Sequence, residues 1–303
     1  MDSSNNIIQA RPFVKWVGGK TQLLEEVRKS LPHDIATREH LTYVEPFVGG
    51  GAVMFWILQA YPNIEHAVIN DINQELICTY RVIKENVERL IAALTKIQND
   101  YLPLNAEERK AYYMAKRARF NSGQADSIET AALFIFLNRT CFNGLYRVNS
   151  KGEFNVPHGR YANPRICDTE NLHACSAVLR KVEILCGDFA QTGRFAGPDT
   201  IYYFDPPYKP ITGTSSFTSY SKGGFDDAEQ IRLRDFCNQI SREKSLFVAS
   251  NSDPKDVNPE ENFFDTIYNH FIIKRVSAAR MINSDASGRG DVSELMISNV
   301  TNA

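Results

Sequence analysis

No apolar run in the sequence exceeds residues 131–137, far short of the roughly 20 residues that a bilayer-spanning helix needs. The opening stretch, MDSSNNIIQARP, lacks the basic start and apolar core of a secretory signal, so a soluble, cytoplasmic protein is expected. Cysteine is sparse: the six residues contain no CxxC pair, and Cys167, Cys175 and Cys186 with His158 and His173 match none of the usual zinc-ligand spacings. Reduced, mostly buried thiols and no bound metal are therefore expected. There is little excess charge of either sign, since 34 Lys and Arg against 36 Asp and Glu leave −2 and exclude a wholly cationic polyanion binder. Internal repeats and low-complexity tracts are absent too. A disordered chain and a disulfide-stapled miniprotein are excluded, because 303 residues that are 43% apolar suffice for about two domains with a sizeable core.

The near-neutral total hides an asymmetry. Residues 80–165 contain 14 bases and 8 acids, an excess of +6 that leaves −8 elsewhere. A basic segment within a neutral protein fits a polyanionic partner held on one part of the surface, and equally a solvated charged helix face.

Hydrophobic periodicity predicts an α/β fold. Residues 41–48 read as a buried strand that breaks at Gly49, Gly50 and Gly51, followed by a helix over 52–60, a strand over 66–70 and an acid, Asp71. This is one βαβ unit. From 73 to 138 apolar and charged residues alternate at helical spacing, which predicts a helical insertion, and 139–163 read as a loop rich in Asn, Gly and Pro. Further helices are expected over 23–31, 168–180 and 226–243, with strands over 182–185, 200–204, 245–249 and 294–298. The small-residue loop 209–224 follows a strand end, where active-site lids are often found, and a second loop spans 278–291. The expected division is a catalytic core of 12–72 and 168–300 around a helical domain of 73–167.

Three motifs carry chemistry. Asp205-Pro206-Pro207-Tyr208 lies at the carboxyl end of the 200–204 strand, the edge at which open α/β sheets bind ligands. It combines a carboxylate, a carbonyl on a rigid backbone and an aromatic face. These suit a planar ring bearing an amine: Asp205 and the Pro206 carbonyl accept from the NH₂ group while Tyr208 stacks on the ring. An ordinary strand-ending turn is the plainer alternative. The second motif, the glycine turn after Phe47, departs from a dinucleotide fingerprint because position 54 is Met. With Asp71 placed to accept from ribose hydroxyls, the pattern calls for a ligand with a ribose and no pyrophosphate, such as S-adenosyl-L-methionine. The third, Lys15 to Thr21, imitates the end of a phosphate loop but has Val where that loop needs its first glycine. Trp16 within it reads equally well as a core residue.

KWVGGK, EPFVGGG, NDIN, LNRTCFNGLYRVNSKGEFNVPHGRY and DPPY, in that order, resemble the Dam-type DNA adenine methyltransferases, over residues 13 to about 298. The resemblance implies a Rossmann-like methyltransferase core with an inserted, mainly helical target-recognition domain, acting on double-stranded DNA, in most known members on the adenine of GATC. It implies that Trp16, Lys20, Phe47, Gly49, Gly51, Asp71 and Asp205 hold S-adenosyl-L-methionine, and that Asp205, Pro206, Pro207 and Tyr208 carry the chemistry. DNA would be met by Lys15, Phe142, Asn143, Leu145, Arg147, Pro157 and Tyr161, with Arg147 on a guanine edge. Phe142 takes the wedge position, often Tyr in the family, which keeps stacking and forgoes a hydroxyl. Arg139, Lys151 and Arg160 are expected to meet phosphate or solvent. A monomer or weak dimer encoded by a bacterium or phage and associated with the nucleoid is implied, whether in restriction-modification, epigenetic marking or protection of a mobile element. Methylation of a cytosine amine, of RNA or of a protein glutamine uses similar tetrapeptides, and a catalytically silent DNA-binding regulator is the reading from another class.

Overall fold

The computed structural model describes residues 8–16, 23–210, 225–279 and 291–302. Lys20, and the loops expected over 209–224 and 278–291 except for their ends, lie outside the described residues. The chain divides into two compact units, one of residues 1–19, 49–60 and 71–187, the other of residues 20–48, 61–70 and 188–303.

The first unit is mainly helical: α2 (Ala52–Ala60), α3 (Gln74–Glu85), α4 (Val87–Tyr101), α5 (Ala106–Asn121), α6 (Ser127–Thr140) and α7 (Thr169–Leu179), with the strand β3 (Val182–Cys186). The expected helical stretch is thus four helices, α3 to α6, three of them started by a polar cap. Asn73 accepts from the Leu76 amide, Asp126 from that of Glu129, and Asn105 and Glu108 form a reciprocal capping box. Such caps satisfy amides that have no partner inside the helix. Residues 131–138 of α6 are all buried, and α6 packs against α3, α4 and α5, so it is the core helix of this unit.

The second unit holds β1 (Leu41–Glu45), β4 (Thr200–Phe204), β5 (Leu246–Ser252), β6 (Ile272–Ala279) and β7 (Asp291–Ser298), with α1 (Leu24–Ser30), α8 (Asp227–Arg242) and α9 (Phe263–Ile267). The strands, with β2 (Ile64–Asp71), form a seven-stranded sheet in the order β3-β2-β1-β4-β5-β7-β6. β1 runs parallel to β2 and β4, β4 runs parallel to β5, and β7 is antiparallel to both β5 and β6. The fold is Rossmann-like α/β, as expected. Strand order reverses between β1 and β4, and that switch point places the ends of these two strands, at Glu45 and Phe204, beside one another where such sheets bind ligands.

Two expectations change. β1 stops at Glu45 and not at residue 48, because Pro46 has no N–H for the ladder and the Val48 amide bonds to the Asn70 carbonyl. β6 and the short helix α9 were not expected; residues 272–277 on β6 are exposed or half-buried, so the strand lacks the apolar alternation that would mark it in sequence. Among the described residues no helix is long and apolar enough to cross a membrane, and no three His, Cys, Asp or Glu side chains are grouped to hold a metal ion.

Candidate active site and DNA-reading loop

In the sheet unit, Asp205 follows the last residue of β4. The Ser250 hydroxyl on β5 donates to Asp205 Oδ1 at 3.1 Å, and the Tyr203 hydroxyl lies 3.1 Å from the same Ser250 oxygen. Tyr203 and Ser250 are both buried, so one carboxylate oxygen is held by a fixed donor. The next residues are held by their backbone. Gln230 Nε2 on α8 donates to the Pro207 carbonyl at 3.1 Å, and Asn251 Nδ2 donates to Gln230 Oε1 at 3.1 Å. The Lys209 amide donates to Asn251 Oδ1, and Ser252 Oγ donates to the Lys209 carbonyl at 2.6 Å. The Tyr208 hydroxyl donates to Glu294 Oε2 at 2.7 Å. Burial, then the charges of Asp205 and Glu294, push the Tyr208 phenol well above its usual range, so the ring is neutral at any working pH. Phe47 packs between ring partners of its own unit, 5.3 Å from Phe189 and 5.6 Å from Phe225.

In the helical unit, the glycine turn and Asp71 form a second constellation. The Gly49 amide donates to Asp71 Oδ2 at 3.0 Å and the Asn73 amide to Oδ1 at 2.9 Å. A carboxylate has about four acceptor positions, so this fixes the group and leaves capacity for the hydroxyls of a ribose. Burial raises the Asp71 pKa above its ordinary 3.8, and the amides of Asn73, Gly49 and Ile72 oppose that rise. Gly49 has φ of +47° and Gly51 of +74°, both in the region that favours glycine. A Cβ at Gly49 would come 2.7 Å from Trp16 Nε1, and one at Gly51 would come 2.5 Å from the Tyr80 hydroxyl. Tyr80 in turn donates to the Gly49 carbonyl at 3.0 Å. The turn is a cradle that any side chain would fill, which fits close approach of a nucleoside. Trp16 is no simple core residue: it is half-buried, stacked on Tyr146 at 5.7 Å, and lies against this turn.

The expected DNA-reading residues lie in the same unit. Lys15 Nζ sits 4.6 Å over the Tyr161 ring. The Phe142 amide donates to the Pro157 carbonyl, which joins the two ends of the loop, and the Phe142 side chain is 53% exposed, an outward-facing aromatic ring on a loop. Asn143 takes φ of +55°, and Leu145 closes a short turn by donating its amide to the Phe142 carbonyl. Arg147 is exposed and aimed by Asn155, whose Oδ1 accepts from its Nε at 2.7 Å. Arg160 and Lys151 are exposed. Arg139 is a correction. Its guanidinium is turned inward, with Nε and one terminal nitrogen donating to the Phe13 carbonyl at 3.2 and 2.8 Å, so it holds the N-terminal segment and not phosphate or solvent. Burial accordingly lowers its pKa.

Sequence reasoning missed Ser250, Gln230, Tyr80, Asn138 and Asn155, each of which hydrogen-bonds a residue of the expected sites. Only Asn138 carried a signal, as the polar residue closing the apolar run 131–137.

The sheet unit carries the carboxylate-proline-proline-tyrosine turn after β4, and the helical unit carries the glycine turn and the anchored Asp71. The chain belongs to the D12 class N6 adenine-specific DNA methyltransferases, whose family model matches residues 16–282. It is similar to the Type II methyltransferase M.MjaIII of Methanocaldococcus jannaschii, 45% identical over 295 residues that cover 96% of this chain and 100% of the relative. The Type II methyltransferase M1.LlaDCHI of Lactococcus lactis subsp. cremoris is 38% identical, covering 98% of each chain, and the DNA adenine methylase of Haemophilus influenzae is 36% identical over 95% and 93%. Among solved structures, the rRNA methyltransferase aviRa of Streptomyces viridochromogenes aligns over 99% of this chain and 93% of its own at 13% identity and a TM-score of 0.37, too weak a likeness to bear on function. The protein is thus an adenine-specific DNA methyltransferase with S-adenosylmethionine as methyl donor. The readings as a silent regulator and as an RNA or glutamine methyltransferase fall away.

Proposed function

We propose that the enzyme methylates the adenine of GATC in duplex DNA, taking the base out of the helix and transferring the methyl group directly. The observation that carries the chemistry is the set of restraints on the 205–208 turn. Ser250 holds one oxygen of Asp205, and Gln230 occupies the Pro207 carbonyl, so among the two proline carbonyls Pro206 is the one suited to the target amine. A flipped adenine stacks on Tyr208, which offsets an extrusion cost of a few kcal/mol. Asp205 and the Pro206 carbonyl accept the two amine hydrogens and draw the nitrogen towards tetrahedral geometry, which frees its lone pair from the ring. Asp205 then stabilises the positive charge that develops there. When bound, S-adenosylmethionine would supply the electrophilic methyl group: the sulfonium S–CH3 bond would break as the amine nitrogen takes the methyl, S-adenosylhomocysteine would leave, and the surplus amine proton would pass to solvent. Trp16, Lys20, Phe47, Gly49, Gly51, Asp71 and Asp205 are the proposed donor-binding residues; the glycine cradle and the anchored Asp71 support this.

Residues 73–167 are proposed as the target-recognition domain, with Lys15, Phe142, Asn143, Leu145, Arg147, Pro157 and Tyr161 against DNA. The stack of Lys15 on Tyr161 and the exposed Phe142 ring support the assignment. We further propose a cytoplasmic, monomeric or weakly dimeric enzyme of a restriction-modification system, in line with the Type II methyltransferases among its relatives. The test is incubation with radiolabelled S-adenosylmethionine and two duplexes that differ only in having GATC or GTAC, followed by identification of the modified base. Methyladenine confined to the GATC duplex is expected. Equal labelling of both, or labelling of neither while genomic DNA is labelled, would refute the proposed site.

A further inference from the structure

Asn138, near the end of the core helix α6, is buried, and its side chain makes three hydrogen bonds, none of them within its own helix. Its Oδ1 accepts from the Lys15 amide at 2.8 Å, and its Nδ2 donates to the Lys15 carbonyl at 2.8 Å and to the Gly144 carbonyl at 2.9 Å. One side-chain amide thus grips both backbone groups of Lys15 and ties them to the loop that carries Phe142 and Leu145. The neighbouring Arg139 holds the Phe13 carbonyl, so the last turn of α6 fixes the whole strip from 13 to 15. Gly144 completes the grip: a Cβ there would press into the Lys15 side chain, 2.7 Å from its Cβ. The next residue on the strip is Trp16, whose ring lies against Gly49 and whose Cβ lies against Gly50.

We propose that Asn138 is a positioning residue that makes base reading and methyl-donor binding one event. Lys15 and Trp16 are consecutive and share a backbone held by the last turn of α6. A shift of the reading loop when Lys15 finds its base therefore moves Trp16 against the glycine cradle, and donor binding acts on Lys15 in return, as linkage requires. The inference rests on the proposed roles of Lys15 and of the cradle.

The experiment measures affinity for radiolabelled S-adenosylmethionine by equilibrium dialysis, alone and with a duplex bearing the site that the unaltered enzyme methylates. Discrimination is measured as kcat/KM on duplexes changed at single base pairs. In the unaltered enzyme the cognate duplex should raise donor affinity severalfold, and a duplex changed at the base pair read by Lys15 should not. Asn138→Asp keeps the shape but removes both donated bonds; the affinity ratio should fall to about one, and discrimination at the Lys15 base pair about tenfold, the usual span for one base contact. Arg147→Ala should lose discrimination at a different base pair and not at the one read by Lys15, which a general loosening of the fold would not do. If Asn138→Asp fails to fold by circular dichroism, Gly144→Ala carries the test, since its Cβ presses on Lys15 and its φ of +63° strains the turn whose carbonyl Asn138 holds, and the same two losses are expected. A ratio of one in the unaltered enzyme, or unaltered ratio and discrimination in the folded variant, would overturn the proposal. Methylation at a site other than GATC would instead refute only the proposed sequence, because the duplex follows the enzyme's own site.

Discussion

The Ser250 hydroxyl donates to Asp205 Oδ1 at 3.1 Å, while the buried Tyr203 hydroxyl lies 3.1 Å behind it. Asp205 is thereby oriented from β5, by a residue 45 positions away in sequence. Ser250→Ala should lower kcat about ten- to a hundredfold with little change in KM for DNA, since one net hydrogen bond to a charged group is worth about 1.5–3 kcal/mol. Asp205→Ala should abolish transfer and leave the melting temperature nearly unchanged. Steady-state kinetics with thermal melts checks both, and full activity in Asp205→Ala would remove it from the reaction.

The glycine cradle makes a steric prediction. At φ of +47° and with Trp16 Nε1 at 2.7 Å from an added Cβ, Gly49→Ala is strained and crowded at once. It should cost about 1–3 kcal/mol of stability or weaken donor binding by a comparable factor. Calorimetric melting and donor titration decide how the cost divides; wild-type values in both would show that the turn has room.

Asp71 makes a prediction about pH. Because burial raises its pKa above 3.8, the carboxylate takes up a proton earlier on acidification than an ordinary aspartate, and its capacity to accept from ribose hydroxyls falls there. Donor affinity should therefore weaken as pH falls towards that raised value. The sign for stability is the opposite: the folded state binds this proton more tightly than the unfolded chain does, so the Asp71 contribution is complete below 3.8 and is lost as pH rises through the folded value. Titrating donor affinity against pH in the unaltered enzyme and in Asp71→Asn checks the first statement. The Asn variant should bind weakly with a flat profile.

Arg147 and Asn155 should act as a pair. Arg147→Ala should relax discrimination at one guanine by about 1–3 kcal/mol. Asn155→Ala should relax the same position by less, because it removes only the bond that aims the guanidinium. Kinetics over a panel of single-base-pair variants would expose the error if the two substitutions affected different positions.

Arg139 and Arg160 should separate a structural cation from a binding one. Arg139→Ala orphans the Phe13 carbonyl and should lower the melting temperature, with no change in the salt dependence of DNA affinity. Arg160→Ala should leave the melt unchanged and reduce the logarithmic salt slope by about 1 if Arg160 neutralises a phosphate.

The βαβ start, the helical stretch after Asp71, and the strand ending at Asp205 were legible in sequence because each depends on short-range patterning. A 200–204 strand whose residues are all buried reads as a continuous apolar run, and a glycine turn declares its own backbone needs. That Asp205 follows a strand end and that Asp71 closes a strand was legible for the same reason. Only the tertiary structure decided what holds them. Ser250, Gln230, Asn138 and Asn155 are ordinary polar residues in sequence, and their roles come from hydrogen bonds to residues 45, 23, 123 and 8 positions away. Arg139 shows the limit most plainly. As a charge in a basic segment it reads as a contact for phosphate or solvent, yet it is turned inward, where it supplies a donor to the carbonyl of the buried Phe13.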